Sequence, residues 1–295
     1  MKKNNLLPYL LLAPVLLYTI ILIIYPLIFS IVLSFRRFDP LTGLSLFKMK
    51  FVGWRNFVKI FNDGAFLESL YNTIYMVLIG VFIQLILGLL IALLLNKLES
   101  KIKGIILTLI LTPLVLPMIA TGLSWRMIYH LEYGLINGIL ETLNFDKINF
   151  LGDPFLVKFS IIFVDTWQWT PLIILILYAG VKSLPHDIKE QAIVDGANKI
   201  QNFLFITLPL LRWYILVAIL IRITDAWKMF DYISSLTGGG PGYSSQTLSY
   251  YVYLRGFRRF ELGEAAAVSW IMLIIIYLIC FILVKLFKPK TGEHF

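Results

Sequence analysis

The feature that most constrains this chain is a series of apolar runs, each long enough to cross the hydrocarbon core of a bilayer. A helix of about 20 apolar residues can cross because every backbone N–H and C=O is satisfied within the segment. Five such runs stand out, at 8–35, 72–95, 105–129, 156–181 and 265–287. A sixth, 208–226, is interrupted by Arg212 and Arg222. It still counts as a span, because an arginine near a helix end snorkels to the headgroups and one facing a bundle interior pairs with a carboxylate such as Asp225. The expected fold is an all-α polytopic membrane protein of about six transmembrane helices, organised as a single transmembrane domain over 1–295. Composition agrees: 59% of residues are hydrophobic and 15% charged, against roughly 45–50% and about 25% in soluble domains. A water-soluble globule is excluded. Lys2 and Lys3 resemble the start of a signal peptide. The apolar run after them is too long for one and no small-x-small cleavage site follows, so it reads as an uncleaved first span.

An even number of spans puts both termini on one side. With the termini inside, the inner segments 1–7, 96–104, 182–207 and 288–295 carry the denser Lys and Arg content, as cytoplasmic flanks do. The basic loop from Arg36 to Lys59 argues the other way. The net charge of +9 therefore reads as a membrane-flank signal, with no nucleic-acid partner expected. A lone Cys280 excludes an internal disulfide and a cysteine metal cluster. His130, His186 and His294 are scattered, with no partner at i+3 or i+4, and no Gly-rich phosphate loop is present. The chain is expected to bind no metal and no cofactor, to have no catalytic residues, and to hydrolyse no ATP itself. One carboxylate, Asp165, falls within a span, beside Trp167 and Trp169. It either marks a pathway or sits near the headgroups, where the two tryptophans form an aromatic belt. The belt is the preferred expectation, since belts are common at span ends.

The loop from Ser183 to Pro209 is the most informative stretch. Pro185 suits a first helical turn, Asp187 and Glu190 favour its positive end, and Gly196 can end it. A second short helix follows from Lys199, with Ile200, Phe203, Leu204 and Thr207 on one face. Such a helix-turn-helix fits either a groove on another protein or the membrane surface, and periodicity does not choose. The spacing Glu-x-Ala-x3-Gly-x9-Ile-x-Leu-Pro, on Glu190, Ala192, Gly196, Ile206, Leu208 and Pro209, resembles the Glu-Ala-Ala loop of the membrane subunits of binding-protein-dependent ABC importers. Gln191 stands where that family has a second Ala. Leu236-Thr237-Gly238-Gly239-Gly240-Pro241-Gly242 is similar to a segment of maltose-type carbohydrate permeases, and so are Phe51-Val52-Gly53-Trp54-Arg55-Asn56-Phe57 and the first span with Pro14 and Tyr25-Pro26.

The resemblance implies a permease subunit forming half of a sugar pathway in a bacterial or archaeal cytoplasmic membrane, with both termini cytoplasmic. Its implied partners are a second permease subunit, a cytoplasmic ATPase dimer, an extracytoplasmic sugar-binding protein, the sugar and the lipid bilayer. A cytoplasmic coupling helix between spans four and five, on Glu190, Gln191, Ala192, Asp195, Gly196 and Ala197, would dock in the ATPase. Gly238, Gly239, Gly240 and Pro241 would face the binding protein or the cavity mouth. Asn72, Gln84, Trp227 and Asp231 are candidates for contact with the sugar. An ion-coupled secondary transporter working without an ATPase is the second reading. It would be expected to carry several ionisable groups at mid-membrane depth or a repeated pair of broken helices, whereas only Asp165, Arg222 and Asp225 are available and no repeat is evident. A membrane-embedded enzyme lacks a catalytic constellation.

Overall fold

The structure is a computed structural model that describes residues 7–38, 49–185, 188, 191–192 and 194–287. Among the described residues, four helices are long and apolar enough to span a membrane, and two further bent pairs would bring the number to six if each pair is one span. The four continuous ones are Tyr9–Ser34, Gly64–Asn96, Leu156–Ser183 and Leu262–Phe287.

In chain order, α1 (Leu7–Thr19) runs through a wide turn at Ile20–Ile24 into α2 (Tyr25–Ser34). Two short strands follow, β1 (Arg36–Arg37) and β2 (Lys50–Phe51), paired antiparallel with Arg36 opposite Phe51. Then come α3 (Arg55–Phe61), α4 (Gly64–Asn96), α5 (Ser100–Val115), α6 (Met118–Ile128), α7 (Leu135–Thr142) and α8 (Leu156–Ser183). The chain continues as α9 (Lys199–Leu210), α10 (Arg212–Ala226), α11 (Leu248–Tyr253) and α12 (Leu262–Phe287).

The span expected at 105–129 falls on one of the bent pairs. α5 and α6 meet at an angle of 95°, with Leu116 extended (ψ 137°) and Pro117 at the N-cap of α6. The cause is local. The ring of Pro117 crowds the residue before it out of the helical region, and its missing N–H removes one rung of the ladder. Hydropathy does not register such a break, because both halves are apolar. The stretch expected at 208–226 also bends, by 63° between α9 and α10.

The chain divides into two compact units. The first comprises Met1–Phe66 and Tyr251–Leu273. Its small core gathers Leu33, Met49 and Ala266, with Phe29, Phe38 and Leu262 against them. Asn56 Nδ2 donates to the carbonyls of Ser34 (2.7 Å) and Arg36 (3.0 Å), capping the open end of α2. A Cβ on Gly263 would come within 2.3 Å of the Arg36 carbonyl, so the start of α12 packs on this turn only because that side chain is absent. The second unit comprises Leu67–Tyr250 and Ile274–Phe295. One of its core clusters takes Met76 from α4, Val157, Ile161, Ile162 and Val164 from α8, and Tyr232, Ile233 and Leu236 from the stretch after α10. α8 is the hub: fifteen of its residues are buried, whereas the first span exposes its apolar side chains from Tyr9 to Ile28, as a helix facing lipid or a partner does.

Candidate functional site

Four ionisable or amide side chains from three helices of the second unit meet in its interior. Arg222 on α10 is fully buried, and three of its nitrogens donate within the protein. Nε donates to Gln84 Oε1 at 2.9 Å, Nη1 to Asp225 Oδ2 at 3.0 Å, and Nη2 to Asp165 Oδ1 and Oδ2 at 3.1 and 2.9 Å. Gln84 Nε2 on α4 closes the ring by donating to Asp165 Oδ2 at 2.7 Å. The ring of Trp169 lies 4.8 Å from the guanidinium, a cation–π contact. The belt expectation for Asp165 is thereby corrected. It is 3% exposed and lies nine residues into α8, about 14 Å from its start at a rise of 1.5 Å per residue. A carboxylate at that depth needs a partner, and the chain supplies a guanidinium and an amide.

One turn further along α8, a second chain of bonds leads to the broken helix. Trp169 Nε1 donates to the Tyr232 hydroxyl (3.1 Å), which donates to Gln168 Oε1 (2.6 Å), and Gln168 Nε2 donates to the carbonyl of Leu116 (2.7 Å). That carbonyl belongs to the residue at the α5–α6 break, so Gln168 satisfies a group the bend sets free. Irregular backbone in a membrane needs such a partner or a water-lined cavity.

Both networks border a cleft of about 200 Å³ lined by Met118, Asp165, Trp169, Asp225, Lys228, Phe230, Asp231 and Tyr232, among others. Asp231 lines it. Gln84 does not, standing behind it on Arg222, and Trp227 is buried at 2% exposure. Asn72 is elsewhere: its Nδ2 donates to the carbonyls of Tyr243 (2.7 Å) and Gln246 (3.2 Å), bracing the glycine-rich loop against α4. Sequence alone does not single out Lys228 or Tyr232, and it reads Trp169 as part of a belt. The signal that could have found them is the proline break, since interrupted membrane helices tend to line binding sites.

The glycine-rich loop is a closed turn. Ser245 Oγ donates to the Gly240 carbonyl at 2.7 Å, the Thr237 and Ser245 hydroxyls bond at 2.8 Å, and Gly238 and Gly239 both take positive φ. Pro241 lies within it.

In the 183–209 loop, Glu190 lies outside the described residues. Ala192 is buried, and Gln191, Asp195 and Gly196 are exposed. The Asp195 N–H donates to the Gln191 carbonyl, and Ala197 N–H to the Ala192 carbonyl, both at 2.9 Å. Gly196 has φ +85°. A 6→1 bond across a left-handed residue is the Schellman helix stop, and it needs glycine because a side chain disfavours that φ. Asn198 and Gln201 then form a capping box that starts α9.

Comparison with known proteins fixes what carries this geometry. The family model described as "Binding-protein-dependent transport system inner membrane component" matches residues 84–293. The chain belongs to that family. As an inner membrane component of this kind, it is also 31% identical over 295 residues to the probable ABC transporter permease protein YurN of Bacillus subtilis (strain 168), covering 99% of each chain. The sulfoquinovosyl glycerol transport system permease protein SmoG of Agrobacterium fabrum is 32% identical over 287 residues, 97% of this chain and 92% of that one. A solved bacterial alginate ABC transporter, in complex with an alginate pentasaccharide-bound periplasmic protein, shares the fold with a TM-score of 0.83 at 21% identity, covering 99% of this chain and 98% of that one. The chain is thus a multi-pass transport permease.

Proposed function

We propose that this chain is one membrane half of an ATP-driven sugar importer. It pairs with a second permease subunit, receives its substrate from an extracytoplasmic binding protein, and couples through the 183–209 loop to a cytoplasmic ATPase dimer, which hydrolyses the ATP. Both termini are cytoplasmic on this reading. Relatives over nearly the full chain support it, one of them described as a sulfoquinovosyl glycerol transport system permease.

The observation that carries the substrate class is the composition of the cleft. Arg222, buried behind its lining, is already bonded to Gln84, Asp225 and Asp165. What faces a ligand there is the carboxylates of Asp225 and Asp231 and the ammonium of Lys228, with Phe230 and Tyr232 in the wall. Carboxylates accept from sugar hydroxyls, an ammonium donates to them, and aromatic walls cover the apolar face of a pyranose. Closing of the ATPase dimer would move the segment that ends at Gly196, and so bias the membrane helices between two states. Moving such an equilibrium from 1:99 to 99:1 takes about 5.5 kcal/mol of differential binding.

Reconstitution tests this. The transporter assembled with its ATPase and binding protein should accumulate sugar in proteoliposomes only with ATP. Gly196→Pro should abolish uptake while the complex still assembles. Asp231→Asn should lower sugar uptake about tenfold or more and leave ATP binding unchanged. Uptake driven by a proton gradient without the ATPase would overturn the proposal in favour of ion coupling.

A further inference from the structure

The first unit holds a second cleft, of about 370 Å³, at the point where two membrane spans end. Arg36 and Arg37 follow Ser34, the last residue of the first span, and Arg259 precedes the last span, which begins at Leu262. Arg55 opens α3 between them. Together with Lys59, these five basic side chains face two acids, Glu261 and Glu264, a net of +3.

The acids are already engaged. Glu261 accepts from Arg255 Nη1 at 2.7 Å and from Lys59 Nζ at 3.5 Å. Glu264 accepts from Arg255 at 2.9 Å and also pairs with Lys59. Arg255 further pairs with Asp63. Arg36 Nη1 donates to the Met49 carbonyl at 2.9 Å. Among the described residues, Arg37, Arg55 and Arg259 make no ion pair, and all three are exposed. Three like charges lining one cleft, whose acids are bonded to Arg255 and Lys59, repel one another, and an anion relieves that repulsion.

The surroundings say which anion. Phe260 lines the cleft and is 59% exposed, and Phe51 and Trp54, beside its lining residues Val52 and Arg55, are 67% and 68% exposed. Trp54 packs with Phe35 and Phe57 at centroid distances of 5.1 Å. Exposed rings at the end of a span sit at headgroup height. A free phosphate would fill little of a 370 Å³ cleft and would leave these rings in water. A phospholipid places its phosphate among the arginines and its glycerol and upper acyl chains against the rings. We propose that this cleft binds the headgroup of an anionic phospholipid, with Arg37, Arg55 and Arg259 as the phosphate contacts through their forked donors.

Native mass spectrometry of the assembled transporter, offered phosphatidylglycerol or phosphatidylcholine of the same chains, tests this. Phosphatidylglycerol should bind about five- to tenfold better, and the triple variant Arg37→Gln/Arg55→Gln/Arg259→Gln should bring the two within twofold. Thermal unfolding in phosphatidylcholine should be unchanged in that variant. If the triple variant fails to fold, Arg55→Gln alone should lower the preference at least twofold and Arg55→Lys should recover part of it. Equal binding of the two lipids, or an undiminished preference in the variants, overturns the proposal. So does displacement of phosphatidylglycerol by millimolar inorganic phosphate, which marks a free-anion site. Loss of binding-protein-stimulated ATPase activity with lipid preference intact overturns it too, and reassigns the arginines to docking of an acidic protein surface.

Discussion

At the scale of single residues, the pair Asp165–Arg222 is the most exposed to loss. Removing one partner leaves an unpaired charge in the protein interior, which costs about 3–5 kcal/mol. Asp165→Leu and Arg222→Met are each expected to lower the thermal unfolding temperature in detergent sharply, and the double variant to recover most of the difference. Strictly additive losses in that double-mutant cycle would show that the two are not coupled. A second residue-scale expectation concerns acid. Burial works to raise the pKa of Asp63, but hydrogen bonds from the Tyr251 hydroxyl and the Ala65 N–H, and the charge of Arg255, outweigh it and hold the group below its ordinary value. For Glu261, burial is likewise overcome by Arg255 and Lys59. Carboxyls depressed on folding add stability above their unfolded pKa, near 4, and lose it as pH falls through the lower folded value. Unfolding measured from pH 6 down to pH 3 should show that loss, and Asp63→Asn should flatten the curve. The pairing of Arg222 with Asp225 is legible in the sequence, because i,i+3 neighbours share a helix face. Asp165 is not, since it stands 57 positions from Arg222 and nothing within either span states which helix packs on which.

At the scale of elements, two interruptions do the positioning. The break at Leu116–Pro117 depends on Gln168 for its freed carbonyl. Gln168→Leu should cost about 1–3 kcal/mol, the penalty for an orphaned buried acceptor. Pro117→Ala should be tolerated better if the Gln168 bond holds the bend, which thermal unfolding of the two variants compares directly. The stop at Gly196 is legible from sequence, because only glycine suits a left-handed C′ position. The helical break is legible only in part. Leu116-Pro117 announces an extended residue, but a 95° turn also requires a neighbour that takes the freed carbonyl, and that neighbour comes from another helix. Hydropathy locates spans by composition and so reads 105–129 as one run, whereas local sterics decide where the run turns.

At the scale of the whole molecule, the polar ring raises the question of how α10 enters a membrane at all. An arginine at the centre of an isolated helix costs about 2.5–3.5 kcal/mol on insertion scales, and a second one, Arg212, stands at the start of α10. The chain is made from its N-terminus, so α4 and α8, with Gln84 and Asp165, emerge before Arg222. The carboxylate that neutralises the arginine is therefore already in place, and α10 can be received by a partly built bundle instead of by lipid. A chain truncated after α10 should insert that helix efficiently, as scored by glycosylation sites placed on either flank, and Asp165→Leu should reduce its insertion severalfold. The order of the helices along the polypeptide is then a biosynthetic schedule: the receptor for a costly segment is synthesised ahead of the segment.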